Sequence, residues 1–147
     1  MLLIIMDSSD KFKPEKEPSP GTPTILIVED DPPTLELYRR ELSRSYQVLA
    51  CTDEQEALKA LRTKALCAMV LEPALLGGRG WALLTTIKNS PQGHDIPVIL
   101  CSTLDKRKRG LEMGAAACLV KPVLPTTLLE TVQRVTELTR GRFPVRS

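Results

Sequence analysis

The stretch ILIVEDDPPTLELYRREL, residues 25–42, decides the fold. Ile25 to Val28 form a short β-branched apolar run bounded by acids and by Pro32 and Pro33, which reads as a buried strand because it is too short for a buried helix. Pro33 suits the first turn of a helix, where its missing N–H has no partner to lose. Leu35, Tyr38 and Leu42 then recur at helical spacing through an otherwise charged segment, so one apolar stripe faces a core until about Ser45. A buried strand running directly into an amphipathic helix is a βα unit.

The same unit repeats along the chain. A strand is expected at residues 47–51, followed by Thr52 and Gln55 in the form of a capping box that opens a helix buried through Ala57, Leu58 and Leu61. Residues 68–71 read as a strand, 81–88 as a helix, 97–101 as a strand, 104–113 as a short helix, 118–120 as a strand and 125–139 as a final amphipathic helix. Five apolar strands alternating with five helices imply an α/β fold, a single doubly wound domain whose parallel sheet is covered on both faces. Residues 1–23 form an N-terminal segment and linker, 24–140 the domain and 141–147 a basic tail. The linker is marked by Pro14, Pro18, Pro20 and Pro23, and the apolar residues before it suggest an upstream element.

Composition narrows the function. Of the 147 residues 42% are hydrophobic and 26% charged, as in a soluble globular domain long enough to bury its own core. Aromatic residues make up only 3% and the formal charge is +2, so neither a stacking platform for single-stranded nucleic acid nor electrostatic binding to DNA or anionic membrane is expected. MLLIIM is too short to span a bilayer, and no basic residue precedes it as a secretory signal requires. Cys51, Cys67, Cys101 and Cys118 are widely spaced, with no C-x-x-C pair, in apolar stretches; buried, reduced thiols in a cytoplasmic protein are expected.

In doubly wound sheets ligands bind outside the carboxyl ends of the strands. Those ends carry Glu29 and Asp30 after the first strand, Glu72 after the third, Ser102 after the fourth and Lys121 after the fifth. Clustered carboxylates imply a hard cation, a raised pKa or an opposing ammonium, and Lys121 supplies the last. Acids, a hydroxyl and a lysine are also what phosphoryl transfer onto a carboxylate needs.

The segments ILIVEDDPPTLELYRREL, PVILCST and GAAACLVKP resemble the first, fourth and fifth strand regions of two-component response-regulator receiver domains, over about residues 24 to 138. The resemblance implies a flavodoxin-like sheet in the order 2-1-3-4-5. It further implies that Glu29 and Asp30 match the metal-binding acids, Ser102 the switch hydroxyl, Lys121 the lysine that contacts the phosphoryl group, and Pro122 a proline typically preceded by a cis bond. Cys118 matches the switch aromatic. The third strand departs from the family: in AMVLEPALLGGRGW, Glu72 stands where the phosphoacceptor aspartate belongs. Leu76 replaces a proline and Arg79 an acid in the same loop, and the helix after Ser102 looks short.

Glu72 carries one methylene more than aspartate, which moves its carboxylate about a bond length towards the volume of a phosphoryl group. Two readings stay open. Glu72 imitates phosphorylation, with one charge and two oxygens against the phosphoryl group's roughly −1.5 to −2 and three, or it merely neutralises Lys121 in an inert pocket. Ser102 is either a working switch or a hydroxyl capping the next turn. Lys106, Arg107, Lys108 and Arg109 would ring the short fourth helix as a solvated face or a dock for an acidic partner. Trp81 reads as packing, and His94, in a polar loop, as no phosphodonor.

The expected function is a signalling module of a phosphorelay, regulating by protein contact without aspartate phosphorylation and with no catalytic residue. No cofactor is required; weak Mg2+ binding by Glu29, Asp30 and Glu72 is the metal expectation. Partners are a sensor histidine kinase or another signalling protein, with homodimerisation through the fourth-to-fifth-helix face. The alternatives are a receiver fragment of a hybrid sensor kinase that retains Mg-dependent phosphoryl binding, and a Mg-dependent phosphate-ester hydrolase. No nucleotide-binding glycine loop follows the first strand.

Overall fold

The computed structural model describes residues 22–142. The apolar residues at the start of the chain, nearly all of the linker, and residues 143–147 of the basic tail therefore lie outside the described residues. Five strands alternate with five helices: β1 (Thr24–Val28), α1 (Pro32–Leu42), β2 (Gln47–Cys51), α2 (Glu54–Thr63), β3 (Leu66–Leu71), α3 (Leu75–Lys88), β4 (Val98–Ser102), α4 (Arg107–Glu112), β5 (Ala117–Val120) and α5 (Pro125–Arg142). All four pairings are parallel, and the sheet order is β2-β1-β3-β4-β5.

The central strands are apolar without interruption because each has helices on both sides. Successive residues alternate between two cores. Leu26, Val28, Met69, Leu71, Val98 and Leu100 pack on one face with Ala57 and Leu61 of α2 and Leu83, Leu84 and Ile87 of α3. Ile25, Ile27, Ala68, Val70, Ile99 and Cys101 face the other way, onto Tyr38 and Leu42 of α1 and Leu128, Val132 and Val135 of α5. The period of two along a strand thus divides one hydrophobic run into two packed layers.

Helix starts differ from the sequence expectation for local reasons. Asp31 caps α1, accepting a hydrogen bond from Thr34 N, with Pro32 and Pro33 in the first turn. The box at α2 lies one residue later than Thr52 and Gln55: Asp53 accepts from Glu56 N at 2.9 Å, and the Glu56 carboxylate reaches back to Thr52 N at 3.3 Å. Asp is as good a cap as Thr, and here its backbone is extended (φ −142°, ψ 167°).

Helix α3 starts at Leu75, a turn and a half before Trp81. The glycines that read as a loop, Gly77 and Gly78, adopt φ of 71° and 97°, which side chains with a Cβ rarely tolerate. Helix α4 starts at Arg107, later than expected, because Ser102 Oγ accepts from Leu104 N and Asp105 Oδ1 from Arg107 N. These bonds hold residues 103–106 outside the helix. All four cysteines are free thiols; Cys51 and Cys101 are buried as expected, but Cys67 and Cys118 are only partly so.

Candidate functional site

The carboxyl ends of β1, β3, β4 and β5 meet at one rim, and two of the acids expected there converge on Lys121. The Lys121 Nζ lies 2.8 Å from Glu29 Oε1 and 2.7 Å from Glu72 Oε1. The second oxygen of each carboxylate is also engaged: Glu29 Oε2 accepts from Asp31 N at 3.1 Å, and Glu72 Oε2 from Ala74 N at 2.8 Å. Glu29 and Glu72 are 2% and 6% exposed, so the ion pairs sit at the edge of the core and not in solvent.

Backbone pairing fixes all three side chains. Glu72 N donates to Val28 O, and Glu29 N to Cys51 O, which prolongs the ladders one residue past the strand ends. Lys121 N donates to Ser102 O at 2.7 Å, and the Lys121–Pro122 bond that follows is cis. Gly80 closes the site from α3: a Cβ there would lie 2.6 Å from Glu72 O and 2.6 Å from Pro73 Cα. Only glycine lets this helix approach the loop that carries Glu72.

Electrostatics follow from burial. Desolvation raises the pKa of Glu29, and Lys121 only partly offsets it. Burial also works against the charge of Lys121, but its hydrogen bonds to Glu29 and Glu72 outweigh that and hold its pKa above the ordinary lysine value.

The remaining expected residues are placed differently. Asp30 is exposed and has no ion pair with Lys121 among the described residues. Asp31, the third acid of the loop, is used as the α1 cap. Ser102 is 7% exposed, and its hydroxyl accepts from Leu104 N at 3.2 Å. Cys118 is partly buried and packs against α4, its Sγ 3.8 Å from Arg107 O. A Cβ at Gly110 would come within 2.4 Å of that sulfur, so a small residue at 110 lets α4 settle on β5.

The basic run does not ring α4. Lys106 precedes the helix, Arg107 pairs with Asp105, and Arg109 stacks over Trp81 at 4.0 Å from the ring centroid. His94 lies in the loop after α3, beside Asp95. The N–H groups of Asp31 and Ala74 are pocket donors that side-chain patterns cannot reveal.

The residues do not fit a divalent cation in this arrangement. Among the described residues no group of three or more His, Cys, Asp or Glu is placed to hold a metal ion. Every oxygen of the two buried carboxylates already has a hydrogen-bond donor. No described helix is long and apolar enough to cross a membrane.

A 2-1-3-4-5 parallel sheet with a lysine held between acids at its carboxyl edge defines a receiver-type signalling domain. Residues 25–133 match the response regulator receiver domain family. The chain is 34% identical over 125 residues to the transcriptional regulatory protein PrrA of Mycobacterium tuberculosis, covering 82% of this chain and 52% of PrrA. It resembles the solved receiver domain of a signal transduction histidine kinase from Syntrophus aciditrophicus, with TM-score 0.72 and 27% identity over 85% of this chain and 98% of that one. It also resembles the chemotaxis response regulator CheY4 of Vibrio cholerae, with TM-score 0.71 and 25% identity over 78% and 98% of the two chains. The chain belongs to the response-regulator receiver domain family, whose setting is two-component signalling. It spans about half the length of the curated relatives it matches.

Proposed function

We propose that this receiver domain signals through protein contacts set by a fixed, ion-paired pocket, without phosphorylation of an aspartate. The observation that carries the reading is Glu72. It ends β3 where the family resemblance places the phosphoacceptor, and both its oxygens are engaged, one by the Lys121 ammonium and one by the Ala74 N–H. Glutamate is not the residue that accepts the phosphoryl group in the family, and its carboxylate reaches about a bond length further than an aspartate's. The same fact counts against phosphate-ester hydrolysis.

Of the two readings of Glu72, the geometry favours an ion-paired resting pocket over full imitation of a phosphoryl group. Lys121 is engaged as an imitation requires, but the Ser102 hydroxyl makes no hydrogen bond to Glu72 among the described residues and accepts one from Leu104 N instead. The output is then a surface of constant shape. Leu104, Leu111 and Leu124 are 62%, 54% and 67% exposed, which supports self-association or effector docking on the α4–α5 side. The proposed partners are a sensor histidine kinase or another signalling protein, and four free thiols support a reducing compartment such as the cytoplasm.

The test is incubation of the chain with acetyl phosphate and Mg2+, followed by intact-mass measurement. The wild type should gain no phosphate, and Glu72→Asp should show what the pocket does with an aspartate restored. A phosphate adduct mapped to Glu72 in the wild type would overturn the reading.

A further inference from the structure

The geometry points to Lys121 as a built-in replacement for a divalent cation: its ammonium lies 2.8 Å from Glu29 and 2.7 Å from Glu72 and supplies the positive charge that a metal ion would otherwise bring to these acids. The pocket therefore keeps one arrangement with or without Mg2+. This inference rests on the fixed-pocket reading and adds the site's indifference to metal.

Three observations carry it. Mg2+ demands about six oxygen ligands in near-octahedral geometry and gives up water reluctantly. Each oxygen of the two buried carboxylates is already held by a donor, both first oxygens by Lys121 at 2.7 and 2.8 Å and both second oxygens by backbone N–H groups, so a cation could reach their remaining lone pairs only beside the ammonium's own positive charge. Entry of a cation would thus compete with charge-assisted bonds made by an ammonium whose side chain is only 14% exposed.

Second, the neighbouring acids cannot complete a shell in this arrangement. Asp31 is committed to Thr34 at the start of α1, and Asp30 is solvent-exposed. Third, the extra methylene of Glu72 lets one carboxylate span both Lys121 and the Ala74 N–H, so the β3–α3 loop is tied to the ammonium directly. The loop then needs no metal to order it.

The test uses the full chain, with Mg2+ alone and with Mn2+ as a paramagnetic probe, read by the NMR signals of the Asp31 and Ala74 amides and by thermal melting. In the wild type neither amide should shift or broaden saturably, and Mg2+ should leave the melting temperature unchanged. In Lys121→Met the vacated position should bind Mg2+ at least about tenfold more tightly, with broadening at both amides and a melting temperature that rises with Mg2+. If that variant is unfolded without metal, recovery of its fold by Mg2+ is the expected result.

Saturable binding by the wild type at millimolar Mg2+ overturns the inference. So does a Lys121→Met chain that is indifferent to Mg2+, whether folded or unfolded, because two facing carboxylates without their ammonium should recruit a cation. Neither result bears on phosphorylation. A wild type that binds Mg2+ but gains no phosphate removes only this inference, whereas one that gains phosphate removes the fixed-pocket reading as well.

Discussion

Lys121→Met is the most informative perturbation for stability, because it removes a charge and keeps much of the side-chain volume. At separations of 2.7 and 2.8 Å each ion pair is worth roughly 6 kcal/mol of direct attraction at an effective dielectric of about 20. Most of that is offset by the cost of taking the three groups out of water. What the variant exposes is the cost of leaving Glu29 and Glu72 buried without a counter-charge, and for buried pairs this is about 3–5 kcal/mol.

In metal-free buffer at pH 7, a urea titration should therefore show the midpoint falling by about 2 M for a slope near 2 kcal/mol per M. The loss should shrink at acid pH. Burial already raises the Glu29 pKa, and without Lys121 it rises further, so a proton taken up by Glu29 relieves the repulsion. A loss below about 1 kcal/mol at pH 7, or one of equal size at pH 7 and pH 4.5, would refute the reasoning.

Other expectations follow from single contacts. Gly80→Ala should destabilise by about 1–3 kcal/mol in chemical denaturation, although alanine is the better helix former, because its Cβ meets backbone atoms of Glu72 and Pro73 at 2.6 Å; a neutral or stabilising result would show that α3 does not press on the loop. Asp53→Ala should cost about 1 kcal/mol through loss of the α2 cap, measurable in the same unfolding assay, whereas Thr52→Ala should cost far less. For Glu29 the raised folded-state pKa means that its favourable contribution is present at acid pH and is lost as pH rises through that pKa. A carboxyl-detected NMR titration should place its midpoint above that of an ordinary glutamate, and a midpoint at or below it would contradict the burial argument.

How far the site could be read from the sequence is clearest at the strand ends. Glu29, Glu72, Ser102 and Lys121 were each assignable to a carboxyl end because a buried parallel strand is a short apolar run whose first polar residue marks its exit from the core. Their convergence followed from the doubly wound topology. Asp30 shows where that logic stops: neighbouring residues in a strand-end loop turn to different sides, and Asp30 lies in solvent although it follows the buried Glu29. Gly77 and Gly78 misled in the opposite direction, since adjacent glycines read as loop yet take positive φ where α3 begins.

The amino-acid sequence by itself determined the βα repeat, the covering of the sheet on both faces and the presence of Glu72, with no aspartate nearby, at the end of the third strand, because these depend on apolar periodicity and residue identity. Only the tertiary structure decided which oxygen met which donor. Whether Lys121 is shared by two carboxylates, whether Ser102 serves the pocket or its own turn, and how closely α3 approaches through Gly80 all depend on distances of a few tenths of an ångström between segments remote in the chain. Those distances are set by the packing of the whole sheet, not by local preference.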